Sequence, residues 1–177
     1  MHTHILIPTD GSDLSAEALH YGIALAKAVN ARVTGVTVSP PIHVLALEPG
    51  TVADTLESYR QRMATVSAQR LGKVKEAAEA AGINYDVVHV EHEDPYKAII
   101  DVANAKACDL IVMASHGRRG ISAIVLGSET VKVLTHSTIP VLVYRAARAG
   151  LSSPLFRGIL STCSFRLYPN VMVVQAG

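Results

Sequence analysis

The sequence predicts a single doubly wound α/β domain, a five-stranded parallel sheet in the order 3-2-1-4-5 flanked by helices in the Rossmann-like manner. Three observations lead there. Short β-rich runs alternate with longer stretches of helical period, the pattern of repeated βαβ units. One short run, Asp109–Ala114, is apolar at every position after its aspartate, as a strand covered on both faces must be. And 177 residues suffice to bury the core of one such domain.

His4–Pro8 is predicted as the first strand, stopped by the turn Pro8-Thr9-Asp10-Gly11-Ser12. From Ser12 to about Val29 an alanine-rich helix places Leu14, Ala18, Leu25 and Val29 at near-helical spacing. Arg32–Val38 reads as the second strand, ended by Ser39-Pro40-Pro41, and Ile42–Gly50 as an irregular loop. A long helix is expected from about Thr51 to Ala81, with Val52, Leu56, Tyr59, Met63 and Val66 on its apolar stripe and Gly82 as a left-handed stop. Its Arg60, Arg62, Arg70, Lys73 and Lys75 read as a solvated face.

Asn84–Val90 is the third predicted strand. Asp94 before Pro95 is a helix start, with an acceptor at the N-cap and proline in the first turn, and this helix is expected to end near Ala107. Asp109–Ala114, a glycine-bearing loop, a helix from about Ser128 to His136 and a last strand Pro140–Tyr144 complete the pattern. In a doubly wound sheet the ligand crevice lies beyond the carboxyl ends of the strands where the winding reverses. In this strand order the reversal falls between the first and fourth strands, so Pro8–Ser12 and Ala114–Ser128 are expected to face each other.

Composition narrows the function classes. The net charge is +1 and 49% of residues are apolar, which argues against both disorder and a nucleic-acid footprint. Mean hydropathy is +0.28, yet Asp101, Asn104, Lys106 and Asp109 interrupt the best candidate for a membrane span. The N-terminal Met1-His2-Thr3-His4 lacks the pattern of a signal peptide, and Cys108 and Cys163 lack metal-type spacing. Cys108 reads as a small buried apolar residue, and a cytoplasmic location is the expectation.

The chemistry concentrates in Ala114-Ser115-His116-Gly117, the loop that follows, and Gly127-Ser128. Gly117 and Gly127 remove side chains where a ligand needs close backbone approach; Gly120 either serves that need or bends the loop. Ser128 opens a helix whose first amides and dipole suit phosphate oxygens, and Arg118 and Arg119 add cationic donors. Taken alone, a bland loop with an N-cap serine explains Gly127-Ser128 equally well. The spacing matches neither a dinucleotide fingerprint nor a Walker A loop.

In these motifs the chain resembles the universal stress protein family, in its nucleotide-binding branch. That branch has Gly-x-x-Gly, nine residues and Gly-Ser or Gly-Thr; here Ala114-Ser115-His116-Gly117 is followed by the nine residues Arg118–Leu126 and then Gly127-Ser128. The similarity extends to Ile7–Ser12 and Ile139–Val143 and covers residues 1–145. It departs at Ala114, where the family pattern has a glycine. The resemblance implies binding of ATP, AMP or another adenine nucleotide, with Mg2+ or Mn2+ on the phosphates. It places Pro8, Thr9 and Asp10 on the adenine and ribose side, Val38 at the base, and Met113 and Ala114 beside the ribose. Gly117, Gly127, Ser128 and Glu129 would lie around the phosphates, with Glu129 contributing its amide and its carboxylate turned away or meeting a metal; His116, Arg118 and Thr130 are further candidates for nucleotide contact. It further implies a homodimer through the final strand Pro140–Tyr144 and a stress-response role.

Asp10 could hold a divalent cation on the phosphates or bond the ribose, with the alternative of a turn residue capping the first helix; His116 could be a phosphate contact or proton carrier, with the alternative of a solvent-facing loop residue. No base stands ready to activate water, so any ATP hydrolysis is expected to be slow. His89, Glu91 and Glu93 alternate on the third strand, and a solvated strand end explains them better than a metal site. A non-catalytic dimeric scaffold, its pocket weakened by Ala114 and acting through an unknown protein partner, is the competing function.

Residues 146–177 differ in kind: no Asp or Glu, three arginines and both phenylalanines of the chain. The rest keeps 13 basic against 15 acidic residues. This extension is expected to be weakly ordered or to add an interface strand, with Val171–Val174 the candidate.

Overall fold

Alternation along the central strands sets the layering. In β1 (His4–Pro8) Ile5 and Ile7 turn to one face of the sheet and Leu6 to the other, all three fully buried. In β4 (Leu110–Ala114) Leu110 and Val112 share the first face, Ile111 and Met113 the second. A strand apolar at each position thus feeds two cores, and each fully buried Ile or Leu contributes about 1.5–3 kcal/mol through its buried area.

The structure, a computed structural model, describes residues 2–41, 56–117, 126–145, 166–168 and 171–175. The remaining strands are β2 (Arg32–Ser39), β3 (Tyr85–Glu91), β5 (Val141–Arg145), β6 (Arg166–Tyr168) and β7 (Val171–Gln175). The helices are α1 (Asp13–Val29), α2 (Leu56–Ala81), α3 (Pro95–Ala105) and α4 (Ser128–His136). The first five strands are parallel in the order β3-β2-β1-β4-β5. Leu19, Ile23 and Ala26 of α1 join Val74 and Ala78 of α2 over one face; Ile99 and Ala103 of α3 join Val133 of α4 over the other.

The sheet continues beyond the five expected strands. β7 pairs in parallel with β5, Val141 opposite Val171 through Arg145 opposite Gln175, and β6 pairs antiparallel with β7. The extension therefore adds a strand pair at the sheet edge where the sequence offered Val171–Val174 as its one candidate strand.

Helix ends show where local signals were outvoted. Ser12 is the N-cap of α1, accepting the Ser15 amide at 3.2 Å, and Asn30 ends that helix in the left-handed region at φ 56°. Gly82 stops α2 with φ +70°; its predicted first turn, residues 51–55, lies outside the described residues, as does the 42–50 loop. Asp94 sits at the N-cap of α3 but makes no capping bond, because Lys97 holds its carboxylate at 2.6 Å. That helix stops at Ala105, short of Ala107, where the chain turns left-handed at φ 52° and the Cys108 amide returns to the Ala103 carbonyl. Asp109 is left out of β4; its carboxylate instead accepts the backbone amide and the hydroxyl of Thr3 at 2.7 and 2.8 Å. Cys108 is a buried free thiol, and burial pushes it up to about 11, out of the reactive range. Among the described residues no helix is long and apolar enough to cross a membrane.

Candidate functional site

The carboxyl ends of β1 and β4 are neighbours in the sheet, so the turn after β1 and the loop after β4 meet there. They meet at a missing side chain. A Cβ built on Gly117 would stand 2.6 Å from Oδ2 of Asp10, so a side chain there would have to displace that carboxylate. The other carboxylate oxygen of Asp10 accepts the Ser12 amide at 3.0 Å and its hydroxyl at 2.7 Å. One oxygen of Asp10 thus closes the turn ahead of α1, whose N-cap is Ser12 and not Asp10, while the other faces the β4 loop.

The second close approach joins that loop to α4. A Cβ on Gly127 would lie 3.1 Å from Cα of His116 and 3.2 Å from its Cβ. The Gly127 amide donates to the Ser115 carbonyl at 2.7 Å, and the Thr130 hydroxyl to the Ala114 carbonyl at 3.1 Å. These bonds seat the first turn of α4 on the end of β4. Gly127 caps the helix without a side-chain bond, and the Val131 amide is the first to close an intrahelical bond, onto the Gly127 carbonyl. The amides of Ser128, Glu129 and Thr130 therefore precede the helical ladder, at the positive end of its dipole.

The predicted residues divide by what their side chains do. The Gly127 amide is spent on Ser115, so the donors begin at Ser128, where the helix start was expected to offer them. Thr9 is buried; its hydroxyl lies 3.2 Å from that of Ser15 and accepts the Gly11 amide at 3.3 Å. Pro8 ends β1, while Val38 and Met113 pack into the core beneath α3 and α4. His116 is half-buried, its Nδ1 3.2 Å from the Ser115 hydroxyl. Glu129 turns its carboxylate away from the helix start: Oε2 accepts the Tyr96 amide at 3.0 Å and Oε1 pairs with Lys132 at 2.9 Å. It supplies the cap that Asp94 does not. Arg118, Arg119 and Gly120 lie outside the described residues.

Ala114, the departure from the motif, has the extended angles of its strand; positive φ among the described non-glycine residues is confined to Asn30 and Ala107. A methyl group there strains no backbone.

Sequence reasoning missed Arg70. Expected on the wet face of α2, it is half-buried, and its guanidinium donates to the Thr37 hydroxyl of β2 at 3.4 Å. Helical period alone does not distinguish it from its solvated neighbours, since the contact spans 33 residues. Among the described residues no group of three His, Cys, Asp or Glu side chains stands together as a metal site, and His89 bonds Ser39 at 2.8 Å.

Comparison with known proteins gives a consistent picture. The model of the universal stress protein family matches residues 1–145. Universal stress protein MJ0531 of Methanocaldococcus jannaschii is 34% identical over 150 residues, covering 82% of this chain and 83% of its own. Among solved structures, that of MJ0577 from the same organism superposes with a TM-score of 0.69 at 26% identity, over 81% of this chain and 95% of that one. A universal stress protein solved in complex with cAMP superposes with a TM-score of 0.58 at 24% identity, over 82% of this chain and 99% of that one.

Proposed function

The chain belongs to the universal stress protein family, and from that premise we propose that it binds an adenine nucleotide and serves as a stress-response switch rather than as an enzyme. One observation carries the reading: the β1 turn and the β4 loop close on each other at Gly117, beside the three pre-ladder amides Ser128–Thr130. Such a helix start offers phosphate oxygens backbone donors and a positive dipole end. The cAMP complex of a relative supports the choice of adenine nucleotide.

In this proposal Pro8, Thr9, Asp10 and Val38 form the adenine and ribose side, with Met113 and Ala114 beneath. The amides of Ser128, Glu129 and Thr130, with His116, Gly117 and Arg118, surround the phosphates, and Mg2+ or Mn2+ accompanies them. The two nearby carboxylates favour binding over hydrolysis. Asp10 holds Ser12 with one oxygen, and Glu129 is engaged by the Tyr96 amide and Lys132, so neither is set to activate water. A homodimer through β5 belongs to the same reading, and it requires β7 to leave or exchange, because β7 already pairs that edge.

Calorimetry with ATP, AMP and cyclic AMP, each with magnesium, tests the binding. At least one is expected to bind in the micromolar range, and Gly127→Arg, which drives a side chain into His116, should abolish the heat. No heat from the unaltered protein at millimolar ligand would overturn the proposal.

A further inference from the structure

The turn after β1 is also held from the side of α2. Arg70 lays its aliphatic stem on Gly11, where an added Cβ would meet Cγ at 3.1 Å and Nε at 3.3 Å. Gly11 itself has φ +81°, so a side chain there would be strained by the backbone angle and would also have to push the Arg70 stem back. The guanidinium continues to the hydroxyl of Thr37, which is 1% exposed near the carboxyl end of β2. Arg70 therefore touches both the turn after β1 and the end of β2. With Val66, Gln69 and Lys73 of the same helix, it encloses a cleft of about 190 Å³ against Asp10 and Gly11.

We propose that Arg70 is a positioning residue of the nucleotide site, a latch that ties the Thr9–Ser12 turn to β2 and α2 and so holds Asp10 against Gly117. Its functional half rests on the nucleotide-binding reading above; the latch itself is a property of the ligand-free protein. The role needs a long stem against Gly11 ending in a head that donates to Thr37. Methionine keeps stem and packing but loses the donors, and lysine keeps a point charge without the fork.

Two measurements on the full chain separate these claims. The first is amide hydrogen exchange in the ligand-free protein, read at Gly11 and Ser12, whose amides donate to the Thr9 hydroxyl and the Asp10 carboxylate within the turn. Arg70→Met is expected to speed exchange there about tenfold, while Val74 and Ala78 one and two turns further along α2 keep their protection. The second is calorimetry with MgATP, in which Arg70→Met should weaken binding about tenfold and Arg70→Lys should stay within about twofold of Arg70→Met. Unchanged exchange at Gly11 and Ser12 with α2 intact overturns the latch. Faster exchange with unaltered affinity, or full affinity in Arg70→Lys, overturns the positioning role. Should the unaltered protein take up no MgATP, the nucleotide reading fails and the positioning role with it, while the exchange data still decide the latch.

Discussion

At the scale of single residues, the site depends more on absent side chains than on present ones. Asp10, Ser115 and His116 can lie as close to the two glycines as they do because Gly117 and Gly127 contribute no Cβ. An added Cβ at Gly117 would meet the end of a side chain, an Asp10 oxygen at 2.6 Å, and one at Gly127 the backbone Cα of His116 at 3.1 Å. Gly117→Ala is expected to push Asp10 aside and weaken adenine-nucleotide binding about tenfold or more, about 1.4 kcal/mol. Because Gly117 is exposed and outside the core, its melting temperature should stay within about 3 °C of the parent. Calorimetry and thermal denaturation check both halves; equal affinity in the alanine variant would count against the close approach at Gly117 as part of the site.

At the scale of elements, the ends are tied by contacts far apart in sequence. The clearest is Asp109, which fastens the start of β4 to the start of β1 through Thr3 and, at 3.3 Å, the His4 amide; His2 lies 3.3 Å away as well. Partial burial raises its pKa, but the bonds from Thr3 and His4 and the nearby His2 outweigh that, and the carboxyl is held below its ordinary value. The sign follows from linkage. The folded value lies below the unfolded value of about 4, so the stabilisation is present above pH ~4 and is lost as pH falls through the folded value. Urea midpoints measured from pH 6 down to about 2.5 should fall less steeply for Asp109→Asn than for the parent. Asp86 and Asp94, also held low by Lys106 and Lys97, leave the variant some slope of its own. Parallel curves for the two proteins would refute the tie.

At the scale of the whole molecule, the arrangement of edges decides how the chain meets other chains. An unpaired strand edge is a template for another chain. On one side β3 is the edge, with Asp86, His89 and Glu91 exposed along it. On the other, β7 and the three-residue β6 cover β5. Removal of residues 146–177 uncovers the backbone of Val141–Arg145 and is expected to shift the chain toward a dimer. Sedimentation at matched concentrations reads this directly: a truncated chain that stays monomeric beside a dimeric full-length chain would reverse the assignment.

The amino-acid sequence by itself determined the layered α/β fold, the order of its first five strands, and the two loops that meet at the β1–β4 boundary. Those features follow from period, apolar runs and glycine positions, all local quantities legible one segment at a time. For the Glu129 carboxylate the family resemblance left two courses open, turned away or meeting a metal. The tertiary structure decided what local pattern leaves open. It assigned the α3 cap to Glu129 instead of Asp94, because Lys97 had already claimed the nearer carboxylate. Arg70 left the solvated face for the β1 turn, because a glycine 59 positions earlier in the chain made room for its stem. The Gly127 amide went to Ser115, and the extension joined the edge of β5. Each of these outcomes is a competition between distant groups for one partner, and such competitions are settled only once the chain has brought them within hydrogen-bonding distance.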